Sequence, residues 1–173
     1  MIGGDTSRLD GQPERGQTGR MGNRQHSDSI VIARSAEDLY DMVSDVTRMG
    51  EWSPVCKECW WEDGGSPQVG AWFVGRNELP ERTWKTRSEV VVADRGREFA
   101  FIVGGSYVRW GYTFTPVDDA TLVTETWEFL PDSEVLFAER FGEHAEAETQ
   151  NRAEAARTGI PATLAAIKER AES

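Results

Sequence analysis

The spacing of apolar positions changes twice along the chain. Residues 1–27 hold almost none, being mostly Gly, Arg, Gln and Ser. A segment of that kind cannot offset its own ordering entropy, so a disordered tail is expected over 1–27, with Met21 inside it as an alternative start to Met1. Residues 29–33 then give a short apolar run, read as a first strand. Ser35 ahead of Glu37 and Asp38 reads as an N-cap with acids in the first turn. Leu39, Tyr40, Met42, Val43 and Val46 follow at helical spacing. Residues 47–54 read as a second short helical turn that stops at Pro54.

From there the period becomes two. Strands are expected over 58–63, 71–78, 83–94, 98–103, 107–116 and 121–130, separated by turn residues such as Asp63-Gly64-Gly65-Ser66-Pro67 and Gly104-Gly105-Ser106. Connections this short join antiparallel neighbours, so the six form a meander. Residues 133–173, rich in Ala, Glu and Arg, read as a long helix that Gly159-Ile160-Pro161 should kink or interrupt. The class is therefore α+β, in a single domain over 28–173. A curved antiparallel seven-stranded sheet wraps the long C-terminal helix, and two short helices lie between strands 1 and 2. One sheet with one apolar face and one long covering element implies strong curvature, and with it an internal cavity.

Charge narrows the partners. The chain of 173 residues carries a net −11, of which residues 1–27 contribute +1 and the rest −12. That surface repels phosphate backbones and anionic lipid, so no nucleic acid is expected. The longest apolar runs are a few residues, which excludes integral membrane association. No charged-then-apolar leader opens the chain, so a cytoplasmic location is expected. Oligomeric state is not legible.

Cys56 and Cys59 form a CxxC. A redox pair normally sits at a helix N-terminus, whereas Trp60-Trp61-Glu62 read as strand. Zinc needs two further ligands, and the only histidines are His26 and His144. Two partly buried thiols near a strand entrance is the reading adopted. No metal and no cofactor are expected. Nothing resembles a nucleophile elbow or a phosphate loop.

The order of elements and several local strings resemble the START-like SRPBCC superfamily, in its polyketide cyclase/dehydrase and lipid-transport branch of actinobacterial type. The strings are Ala36-Glu37-Asp38-Leu39-Tyr40-Asp41-Met42-Val43-Ser44-Asp45, Met49-Gly50-Glu51-Trp52-Ser53-Pro54, Val69-Gly70-Ala71-Trp72-Phe73-Val74-Gly75-Arg76-Asn77, Gly96-Arg97-Glu98-Phe99-Ala100-Phe101 and Thr121-Leu122-Val123-Thr124-Glu125-Thr126-Trp127-Glu128. The likeness covers about residues 28 to 170. It implies the helix-grip fold and a hydrophobic ligand, whereas only some members catalyse a reaction. Trp72 and Val74 stand where typical relatives carry polar or basic residues. The helix between Val135 and Arg157 is longer than gripping needs, so its first part should lie outside the grip.

Alternation assigns the inward side chains. Phe73, Gly75 and Asn77 share a face on one strand; Trp84, Thr86, Ser88 and Val90 share one on the next. Phe99 and Phe101 follow, then Trp110, Tyr112 and Phe114. On the last strand Val123 and Trp127 mark the inward face, which carries Glu125 inside with them. A buried carboxylate must be paired, hydrogen-bonded or neutral. Glu125 is either a structural group bonded to Asn77, Tyr112 or an Arg, or a ligand-orienting general acid, with Tyr112 as a second proton donor. Trp52 is placed at the cavity mouth. The expected ligand-binding set is thus Trp52, Phe73, Asn77, Trp84, Ser88, Phe99, Phe101, Trp110, Tyr112, Glu125 and Trp127. His144 is read as a partly exposed residue beside Glu148, and Arg140 and Arg152 as surface charges. Three functions compete: binding of a small lipid-like, aromatic or polyketide-like ligand, a cyclase, aromatase or dehydratase using the buried carboxylate, and a protein-interaction module of a stress or toxin–antitoxin system.

Overall fold

A computed structural model describes residues 24–173, and the expected tail falls outside the described residues up to residue 23, Met21 included. The elements run β1 (Gln25–Ile32), α1 (Ala36–Ser44), a 3-10 turn (Val46–Glu51), β2 (Cys56–Trp61), β3 (Trp72–Leu79), β4 (Arg82–Asp94), β5 (Glu98–Val103), β6 (Val108–Val117), β7 (Ala120–Phe129), α2 (Pro131–Phe141), a second 3-10 turn (Gly142–His144) and α3 (Ala145–Glu172). The first strand begins earlier than hydropathy suggested. Gln25, His26 and Ser27 pair with Glu128, Trp127 and Thr126, because backbone pairing with a neighbouring strand needs no apolar side chains. Arg24, just ahead of β1, donates to Glu134 of α2 and Glu146 of α3, tying the strand to both helices.

The sheet is seven-stranded and antiparallel throughout, in the order β1-β7-β6-β5-β4-β3-β2. Ser35 caps α1 by accepting from the Asp38 N–H at 3.1 Å. Helix α3 buries Ala153, Ala156, Ile160, Leu164 and Ile167, spaced by three and four, in one core with Phe99, Tyr112, Val123 and Trp127 of the sheet. This is the helix-grip fold.

The break in the C-terminal helical region is not where the sequence put it. Helix α3 runs through Gly159 and Pro161 without interruption, with Pro161 on its exposed side. The chain breaks instead at Gly142, whose φ of 53° and ψ of −123° favour glycine. Helix α2 is mostly exposed and lies outside the grip, held by Phe137 edge-on to Phe129 at 5.0 Å. The tryptophans on the convex face are sheathed by cations: Arg87 covers Trp72 at 3.8 Å and Lys85 covers Trp60 at 5.2 Å. Trp72 is thereby kept from forming a bare apolar patch.

Candidate functional site

Register builds the site as a row across the sheet. Ala93 opposes Phe99, Phe99 opposes Tyr112, and Tyr112 opposes Glu125. Directly opposed residues project to the same face, so all four point into the concave side. Glu125 is 3% exposed and Tyr112 5%. The Tyr112 hydroxyl donates to Glu125 Oε1 at 2.9 Å. The other carboxyl oxygen, Oε2, is buried and is the one buried side-chain nitrogen or oxygen without a hydrogen-bond partner among the described residues.

An ionised carboxylate with half its acceptors unmet would be costly in such surroundings. Burial therefore pushes Glu125 up to about 8, only partly offset by the Tyr112 hydrogen bond. Burial likewise raises the Tyr112 phenol well above its ordinary value, with the Glu125 charge next in importance. At neutral pH the pair is a carboxylic acid beside a phenol. Oε1 accepts from Tyr112, so the acidic proton belongs on Oε2, and the site presents an O–H donor with nothing to donate to.

The remaining inward polar groups gather toward β2 and β3. Asn77 donates to Thr86 Oγ1 at 3.1 Å and to the Gly75 carbonyl at 3.4 Å, not to Glu125. Cys56 and Cys59 are free, buried, and 3.1 Å apart at sulfur, which replaces the expected partly buried thiols with a tight internal pair. Cys56 is near enough that a thiolate there would raise Tyr112 further. Sequence reasoning placed Thr86 inward without giving it a role. It also missed the contact between the thiols, which depends on a β-bulge at Lys57.

The other expected ligand residues divide. Phe73, Phe99, Phe101 and Trp127 are buried, and Ser88 is buried beside them. Phe73 meets Phe101 edge-on at 5.0 Å, and Phe99 lies 6.2 Å from Phe101. These rings pack on one another as core, not as the bare walls of a cavity. Trp52 is also core, 4% exposed, so it does not stand open at a mouth. Trp110 is half-buried against the core, and Trp84 is half-buried with the Arg82 guanidinium over its ring at 4.4 Å. His144 projects outward near Glu143 at 3.8 Å, while Glu148 pairs with Arg152 instead. Arg152 also covers Phe137 and Arg140 covers Phe141, both packing roles outside the site.

An open cleft of about 350 Å³ lies at the end of the row, lined by Tyr40, Asp41, Ser44, Trp61, Ala93 and Arg95 among others. Its inner wall belongs to the aromatic core: Tyr40 is edge-on to Phe99 and Phe114, and Trp61 to Phe73. Arg95 pairs with Asp41 at the rim. Tyr40 and Trp61 were not among the expected site residues: Tyr40 was read on the apolar stripe of its helix, Trp61 was assigned no face, and the gap between α1 and the sheet was not legible. Among the described residues no group of three or more His, Cys, Asp or Glu is placed to hold a metal, and no helix is long and apolar enough to cross a membrane.

A family model described as polyketide cyclase / dehydrase and lipid transport matches residues 24–172. The Polyketide_cyc-like protein Cgl2372 from Corynebacterium glutamicum, solved in solution, is 48% identical, with a TM-score of 0.65 over 86% of this chain and 91% of that one. The di-domain ARO/CYC StfQ from the steffimycin biosynthetic pathway shares the fold at 15% identity and a TM-score of 0.64, over 89% of this chain and 53% of that one. Protein Ms6760 from Mycobacterium smegmatis does so at 14% identity and a TM-score of 0.62, over 87% and 92%. A search of curated proteins gives no match.

Proposed function

The chain belongs to the polyketide cyclase / dehydrase and lipid-transport family, and from that premise we propose that it binds a small apolar molecule bearing a carbonyl or hydroxyl oxygen, which Glu125 recognises. The observation that supports this is the buried, unpartnered Oε2 of Glu125. A carboxyl kept only for structure would be expected to satisfy both oxygens, since an unmet buried polar atom costs roughly 1–3 kcal/mol. A neutral acid whose proton points at nothing is the complement of a ligand oxygen. The aromatic neighbours supply the apolar part of recognition, at about 25 cal/mol per Å² buried. Entry runs from the cleft at Tyr40, Trp61 and Ala93 past Phe99, whose ring must shift because Glu125 is sealed from solvent.

The test uses quenching of tryptophan fluorescence by 1,8-dihydroxyanthraquinone, a flavanone and palmitate. Wild type should bind at least one of them, and Glu125→Leu should weaken that binding about tenfold, the loss of one hydrogen bond to a buried acid. A folded Glu125→Leu with unchanged affinity, or wild type that binds none, overturns the reading.

A second reading rests on the same proton. A neutral carboxylic acid with a phenol 2.9 Å from its other oxygen can protonate a leaving hydroxyl or a carbonyl during dehydration or cyclisation of a polyketone. The shared fold with an ARO/CYC is compatible with that chemistry. Glu125→Gln should then retain binding and lose turnover of a poly-β-ketone mimic, whereas equal turnover in both proteins excludes it.

A further inference from the structure

We propose that Cys56 and Cys59 form a two-electron redox site, which a small hydroperoxide converts to an intramolecular disulfide. The backbone makes the pair. In a regular strand residues i and i+3 face opposite sides of the sheet, so a CxxC on a strand should hold its thiols apart. In β2 the register slips: Cys56 opposes Asn77, Glu58 opposes Arg76, and Lys57 is the extra residue of a bulge. The bulge returns Cys59 to the face of Cys56. Both side chains are buried while Lys57 and Glu58 between them are exposed.

The surroundings leave room for the pair. Gly75 opposes Cys59, and a Cβ at Gly75 would sit 3.3 Å from Cys59 Sγ and 3.4 Å from Cys56 Sγ, tighter than such contacts normally are. The sulfurs are 3.1 Å apart. Closing a bond of about 2.05 Å moves them by roughly 1 Å, within reach of side-chain rotation. Met49 Sδ, half-buried on the 3-10 turn, lies 3.8 Å from Cys59 Sγ and extends the sulfur cluster toward solvent.

The two thiols are also unequal. Either S–H can donate across the pair; with the proton held by Cys59, the Cys56 thiol is lowered and that of Cys59 raised. Cys56 is the nucleophile and Cys59 the reserve of protons. The Cys56 thiolate attacks one peroxide oxygen and the O–O bond breaks. The leaving alkoxide or hydroxide takes up a proton, which leaves a sulfenic acid on Cys56. Cys59 sulfur then attacks Cys56 sulfur, the S–S bond forms and water departs. In balance, two thiols lose two electrons and two protons, and one hydroperoxide becomes an alcohol, or water, plus water. Hydrogen peroxide is the probe, since buried thiols admit only a small oxidant.

The whole chain is treated with hydrogen peroxide in thiol-free buffer, then denatured, alkylated with iodoacetamide and weighed intact. Wild type should lose two hydrogens, take up no label, stay monomeric on a non-reducing gel and recover both labels after dithiothreitol. Cys59→Ser with peroxide should trap a dimedone adduct on Cys56, and Cys56→Ser should react at least tenfold more slowly. Retention of both alkylatable thiols in wild type, accumulation of sulfinic acid without a disulfide, or a disulfide between chains overturns the proposal. The wild-type measurement decides this even if a variant fails to fold.

Discussion

Glu125 gives the clearest consequence at the scale of one residue. Its carboxyl titrates near its ordinary value of 4.5 in the unfolded chain and near 8 in the folded protein, where burial dominates. Between those values the unfolded state has released a proton that the folded state retains. Stability therefore falls as pH rises from about 4.5 to about 8, and the dependence ends above that. At 1.36 kcal/mol per unit, the full swing is at most roughly 5 kcal/mol, which water entry and local relaxation reduce. Glu125→Gln lacks this term. Urea midpoints measured from pH 5 to 8.5 should show wild type losing ground steadily against Glu125→Gln; parallel curves would mean that Glu125 is already ionised in the folded protein.

Among the elements, Gly142 separates α2 from α3 in a backbone conformation that L side chains rarely adopt. A Cβ there would meet nothing within 4 Å, so strain alone decides the effect of a substitution. Gly142→Ala should lower stability by about 1–3 kcal/mol, read as a fall in the melting temperature. The same position shows why the helical break was misplaced. Gly159-Ile160-Pro161 is the stronger breaker by composition, yet α3 carries Pro161 on its exposed side without a break. Gly142 has no such signature beside it. Strand assignment fared better because alternation holds along β3, β6 and β7, where Val123 and Trp127 mark the face that buries Glu125, although β4 also carries a bulge between Val90 and Val92 that brings Ala93 to the inward face. Alternation fails at Lys57, since counting by twos assumes one residue per step and a bulge adds one. It also cannot tell a ring that lines a cavity from a ring that fills the core, as both point inward. For that reason Phe73, Phe99 and Phe101 were legible as concave residues but not as packed ones.

Across the whole molecule, the edge of the grip is fastened by charge. Arg24, 15% exposed at its side chain, joins β1 to α2 and α3 through Glu134 and Glu146, both about half exposed. Exposure of the partners keeps the contribution modest despite two ion pairs. Arg24→Ala should cost about 1 kcal/mol at low ionic strength, and less in 1 M salt, when thermal melts of the two proteins are compared.

The pairing of β1 with β7 also sets an order of events during synthesis. Ile30 lies opposite Val123, so the first strand made must wait for one of the last before its backbone is served. At about 5–20 residues per second that wait lasts roughly 5–20 s, with a bare strand edge emerging from the ribosome. The strand is suited to waiting. Gln25, His26, Ser27, Asp28 and Ser29 make most of β1 polar, and charge and hydroxyls on an unpaired edge discourage the wrong neighbour. Its scarcity of apolar residues, which concealed its first residues from hydropathy, is also what lets it remain alone on the nascent chain until β7 arrives.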